Sequence, residues 1–114
     1  MPARGERVAP PPKAGGWDFR YADKSAAEGW EKLARQAPGP TRSAYDAIVA
    51  DPRQRSGRQF PLKGELGKRT VKGKQLDQWE YEVTGGGRVF YCIDDDERVA
   101  WMTLASPGHP KATD

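Results

Sequence analysis

The sequence predicts an α+β domain. An N-terminal strand leads into a two-helix hairpin, and an antiparallel three-stranded meander then completes one sheet packed on the helices. Three observations predict this. Aromatic and charged residues alternate with period 2 over Trp17–Tyr21 and again over Trp79–Val83, the pattern of half-buried strands. Two amphipathic segments lie between them, each closed by a proline. From Arg88 onward the apolar residues fall in two further short runs separated by turn residues. Helices grouped apart from an antiparallel sheet define the class. The chain of 114 residues is one domain's worth, and with 36% apolar and 31% charged residues it can form a core only if part of it stays outside.

Residues 1–16 read as a flexible Pro/Gly-rich tail, since Pro10–Pro12 and Gly15–Gly16 punctuate a stretch with few apolar groups. The single domain is expected over 17–114. Its first strand is expected at about 17–22. Ser25-Ala-Ala-Glu28 then matches a capping box and predicts a helix over about 25–37 with Ala26, Trp30, Leu33 and Ala37 inward. Pro38-Gly39-Pro40 is read as its stop. Thr41 is read as the cap of a second helix over about 41–51, with Tyr45, Ile48 and Val49 inward, ended at Asp51-Pro52. Between Arg53 and Gln75 large apolar residues are few. Phe60 and Leu62 are expected to pin this segment, and Arg69–Val71 to pair briefly with a strand edge. The remaining strands are expected at about 78–84, 88–94 and 98–105. The last is apolar on both faces, hence central.

Composition excludes several classes. The single Cys92 rules out an internal disulfide and a multi-cysteine metal site, and the single His109 rules out a two-histidine centre. No apolar run reaches the ~20 residues that cross a bilayer, and no signal-peptide pattern opens the chain, so a soluble, cytoplasmic protein without metal or cofactor is expected. The net charge of +3 hides a strong asymmetry. Arg53, Arg55, Arg58, Lys63, Lys68, Arg69, Lys72 and Lys74 face only Glu65 within 53–74, whereas 75–100 is strongly acidic. The basic block reads either as a phosphate-binding surface or as a solvated loop.

Several motifs have plain structural readings. Asp94–Glu97 lacks the spaced ligands and glycine of a calcium loop and reads as a solvated hairpin turn. Gly85–Gly87 reads as a hairpin loop, because no helix follows to cradle a phosphate. Cys92 reads as a packed small hydrophobe. Trp79 and Trp101 read as core or near-core residues, with edges open to a groove. The chemistry-bearing set is Arg88, at a strand start, with Gly108-His109-Pro110-Lys111. A cation, an imidazole and an ammonium are what RNA phosphodiester cleavage uses for phosphorane stabilisation and proton transfer.

Leu62-Lys63-Gly64, Trp79-Glu80-Tyr81-Glu82-Val83, Gly87-Arg88-Val89-Phe90-Tyr91-Cys92-Ile93-Asp94, Val99–Ala105 and Gly108-His109-Pro110-Lys111 together resemble the RelE/ParE superfamily of bacterial toxins over residues 17–114. The resemblance implies a cognate antitoxin, a toxin–antitoxin hetero-oligomer, and one of two activities: cleavage of mRNA in the ribosomal A site, or poisoning of DNA gyrase. On the RelE-like reading Arg88 meets the scissile phosphate, and His109 and Lys111 stand where such toxins place further catalytic groups. The chain departs from the pattern in three ways. Glu80 and Glu82 replace lysines, a C-terminal catalytic tyrosine is absent, and the segment after Leu62 is longer. Glu80 or Glu82 then becomes a candidate general base. Lys63, Lys68, Arg69, Lys72 and Lys74 become candidates for contact with RNA and the ribosome. Three functions remain: a ribosome-dependent endoribonuclease, a gyrase inhibitor, or a non-catalytic interaction module.

Overall fold

The computed structural model describes residues 4–8 and 15–108. Element order is β1 (Asp18–Tyr21), α1 (Lys24–Gln36), α2 (Pro38–Ala50), β2 (Gln59–Pro61), a 3-10 turn (Gly64–Gly67), β3 (Lys68–Val71), β4 (Lys74–Glu82), β5 (Arg88–Asp94) and β6 (Val99–Ser106). The class is α+β, two helices on a mostly antiparallel six-stranded sheet. Strand order is β1-β6-β5-β4-β2, with β3 also paired to β4. β1 runs parallel to β6, from Asp18 opposite Val99 to Tyr21 opposite Met102, which places the strongly apolar β6 in the interior of the sheet. A parallel pair needs a long crossover, and everything between β1 and β6 supplies it.

The helices cover one sheet face. Phe19 is the centre of that core, with its ring 5.7 Å from Trp30 and 6.4 Å from Tyr91, edge-on to both. Tyr91 is fully buried and would be expensive there without partners. Its hydroxyl donates to the Pro52 carbonyl at 2.7 Å and accepts from Gln59 Nε2 at 3.0 Å, which ties the α2–β2 connection to the sheet centre.

Four expectations change. The cap of α1 is Asp23, not Ser25: the extended Asp23 accepts from the Ala26 amide at 2.8 Å, and Ser25 Oγ donates to the same carboxylate. A carboxylate two residues earlier is a stronger acceptor than the hydroxyl, so the helix begins at Lys24. Pro38-Gly39-Pro40 does not separate the helices but forms the first turn of α2, because proline at the first helical position lacks only a donor that has no partner there anyway. Thr41 is therefore inside α2 and buried, with no hydrogen-bond partner for Oγ1 among the described residues. Thr41→Val keeps the shape and removes that orphan, and it is expected to raise unfolding free energy by about 1 kcal/mol in denaturant titration.

The third change concerns 53–75, which is not a bare loop. Lys72 and Gly73 both have positive φ, 52° and 80°, and form a two-residue turn that folds β3 back on β4. β4 consequently starts at Lys74 rather than near 78, and β2 pairs further along it at Trp79–Tyr81. The sheet thus exceeds the expected N-terminal strand plus three-stranded meander. Fourth, part of the expected tail is ordered. Val8 is fully buried, its amide donates to the Phe19 carbonyl, and Arg7 pairs with Asp18 at 2.6 Å.

Candidate functional site

The sheet face away from the helices carries the chemistry. Side chains alternate along a strand, so burial of Trp79 and Tyr81 under the helices turns Gln78, Glu80 and Glu82 to the other face. The same alternation sends Arg88, Phe90 and Cys92 of β5 there. The β4–β5 register sets Glu82 directly opposite Arg88, and Glu80 opposite Phe90, one diagonal step from Arg88. The structure therefore brings three of the five expected catalytic residues, Arg88, Glu80 and Glu82, to one end of one face. His109 and Lys111 lie outside the described residues. Gly108, the last described position, lies against Gly86 of the β4–β5 loop: a Cβ on it would come 2.8 Å from the Gly86 carbonyl.

The environments of the three differ. Arg88 and Glu82 are exposed, and the Arg88 side chain forms no ion pair or hydrogen bond among the described residues. Glu80 is only 8% exposed. Burial pushes its carboxyl up, the Arg88 charge opposes this and Glu82 adds to it, so Glu80 sits above the ordinary carboxylate range. A carboxyl raised by burial beside an exposed cation is suited to proton transfer next to an anion. The raised value has a consequence for stability. Glu80 supports folding fully below the unfolded carboxylate pKa of about 4.3, and this support is lost as pH rises through its higher folded pKa. Glu80→Gln is therefore expected to melt above wild type at neutral pH, with the two melting curves converging below about pH 4.

The candidate RNA-binding cations are not one surface. Lys68 holds Asp77 at 2.7 Å, and Arg53 bridges Asp77 and Asp95 at 3.0 and 2.7 Å. The Lys68 hydrogen bond, followed by that from Arg53, holds the Asp77 carboxyl below its usual range. Lys74 reaches the buried Asp94 at 3.2 Å and Asp96 at 3.9 Å. The basic block and the acidic stretch thus largely neutralise each other across β3, β4 and the β5–β6 turn. That turn is correspondingly not simply solvated, since Asp94 is buried. Lys63 is exposed, Arg69 approaches Asp23 only to 3.8 Å, and Lys72 lies over the Trp101 ring at 5.2 Å.

Cys92 is fully buried and burial pushes its thiol up to about 11, so it is protonated at neutral pH and packs as an apolar side chain. Among the described residues no group of three His, Cys, Asp or Glu is placed to hold a metal ion. Likewise, no described helix is long and apolar enough to cross a membrane.

Two features escaped the sequence reading. Arg58 belonged to the basic block but had no place. It donates to the Glu82 carbonyl at 2.9 Å, beside the Arg88 end of the face, and no strand signal preceded it to reveal this. Gln78 and Thr103 are buried polar residues joined at 2.5 Å on the same face. The register shift between Phe90 and Tyr91, which brings Thr103 over Gln78, has no sequence signature. Comparison with family models and with curated proteins finds no match.

Proposed function

We propose that this chain is the toxin of a bacterial toxin–antitoxin pair, of the RelE-like kind, and that it inhibits translation by cutting mRNA on the ribosome. The single observation that carries the reading is the Arg88 end of the face away from the helices: an exposed guanidinium with no ion pair among the described residues, beside a buried carboxyl raised above its ordinary value. The proposed division of labour gives Arg88 the developing phosphorane charge, and Glu80 or Glu82 the 2′-hydroxyl proton. His109 or Lys111 protonates the leaving oxygen. A strand before two helices and a closing β4–β5–β6 meander, with β1 parallel to β6, support a RelE/ParE-like arrangement to which β2 and β3 are added. A cognate antitoxin and the ribosome are the partners of this reading, the cytoplasm is its setting, and no metal or cofactor enters it.

One observation favours the gyrase-inhibitor reading. Lys68 and Lys74 are engaged with carboxylates, which leaves fewer cations for rRNA phosphates. Expression of the chain in a bacterial host separates the two. New mRNA 5′ ends within coding regions with unchanged plasmid supercoiling support the ribonuclease. Altered supercoiling without new 5′ ends supports the gyrase inhibitor.

A further inference from the structure

At the opposite end of the same face from Arg88 lies a second, cation-rich cleft. It is a cavity of about 340 Å³ whose walls include Arg4, Asp23, Arg69, Lys72 and Trp101. Asp23, its one carboxylate, is already committed to capping α1 through Oδ1. Three cations therefore surround one occupied carboxylate, and neither Arg4 nor Lys72 has an acidic partner within salt-bridge distance among the described residues. Trp101 is 7% exposed and packs with Val71, Cys92 and Val99, and the ammonium of the exposed Lys72 stands over its ring, 5.2 Å from the centre. Trp101 and Lys72 also line a second cavity of about 500 Å³, where Arg20 and Lys74 stand among the carboxylates of Asp18, Asp94 and Glu97. Lys72 is thus a bar between the two cavities, with the indole beneath it. The bar hangs from a turn in which Lys72 adopts a left-handed backbone, at φ 52°, that lysine rarely takes.

We propose that this groove binds single-stranded RNA, with a base stacked on Trp101 in place of the Lys72 ammonium and its phosphates on Arg4, Arg69 and the displaced Lys72. An aromatic ring with a cluster of cations on one side, here Arg4, Arg69 and Lys72, is an arrangement that holds single strands without reading their sequence. Every base has a face to offer the ring, whereas an acidic peptide would use the cations and leave the indole unused. The proposal takes its substrate class from the reading above and gives the strand a second point of attachment. Trp101 pairs with Cys92, four residues along β5 from Arg88, so the two sites lie about 13 Å apart at ~3.3 Å per residue. Phe90 and Leu104, paired and half-buried, pave the interval. Stacked nucleotides at ~3.4 Å each would cover it in about four steps.

The test is NMR of the four tryptophan indole N–H signals, with that of Trp101 assigned by Trp101→Phe, during titration with adenosine 5′-monophosphate and with a six-nucleotide single-stranded RNA. The expected result is a saturable shift of the Trp101 signal by both probes, with the Trp30 signal, under the helices, unmoved. Arg4→Gln/Arg69→Gln should weaken RNA binding about tenfold and flatten its salt dependence, since fewer counterions are released. Arg88→Ala should leave the shift caused by adenosine 5′-monophosphate intact. An unmoved Trp101 signal at saturating RNA would overturn the groove while leaving cleavage at Arg88 standing. A poly-glutamate peptide binding as tightly as RNA would also overturn it, in favour of an acidic protein partner. RNA bound at Trp101 by a chain that cuts no mRNA would uphold the groove and remove the proposed activity.

Discussion

Arg88→Ala is expected to lower mRNA cleavage on programmed ribosomes by on the order of 10²–10³ in rate, the usual worth of one preorganised group aimed at developing negative charge. The side chain is exposed, at the first position of β5, and contributes no ion pair or hydrogen bond among the described residues. Its loss should therefore leave the melting temperature close to wild type. It should also take away the charge that opposes the effect of burial on the Glu80 carboxyl. Removing it should move Glu80 up. A rate loss accompanied by an upward shift of the acidic limb of the pH profile would show Glu80 and Arg88 acting at one centre. Lys at this position should restore part of the rate but not all of it, since an ammonium lacks the planar fork that meets two phosphate oxygens.

Gly29→Ala is expected to be the most destabilising small substitution in α1. Two effects compete. Alanine in a helix interior is better than glycine by about 1 kcal/mol. Against this, a Cβ at Gly29 would overlap the Ala105 carbonyl of β6. The obstacle is backbone, held at Ala105 by its pairing with Val89 of β5, so it cannot move aside as the end of a flexible side chain would. Overpacking of this kind typically costs about 1–3 kcal/mol, and the rigid obstacle puts this site at the upper end. The net expectation is a melting temperature roughly 5–15 °C below wild type, at about 4–8 °C per kcal/mol for a domain of this size. A variant that melts at or above wild type would show that α1 does not pack on β6 through this glycine.

What the sequence revealed and what it hid follow from the range of each interaction. The period-2 run Trp79–Val83 could be read because the face each residue takes is set by its own strand's alternation, and β6 because it is apolar on both faces. The capping of α1 was misread by two residues because Asp23, Ser25 and Glu28 are all competent cap partners, and only the extended backbone at Asp23 selects among them. Arg53–Gln75 was opaque for a different reason. Its structure rests on Lys72 adopting a conformation that propensity assigns to asparagine or glycine, and on β4 being present to receive β2 and β3. The candidate site was half-legible. Glu80, Glu82 and Arg88 are close in sequence around one hairpin, so their meeting follows from register. The pairing of the basic block with Asp77, Asp94 and Asp95 spans three strands and could not be read from charge totals.

The most direct test of the central claim is single-turnover cleavage of a defined mRNA on purified ribosomes by the wild-type chain, with Arg88→Ala and Glu80→Gln in parallel and gyrase supercoiling measured on the same preparations. The account predicts cuts in ribosome-bound mRNA. It predicts Arg88→Ala slower by about 10²–10³, and Glu80→Gln slowed without loss of fold. Intact mRNA at all times, or cleavage that proceeds at the wild-type rate in Arg88→Ala, would contradict it, and inhibition of supercoiling by the same preparation would put the gyrase reading in its place.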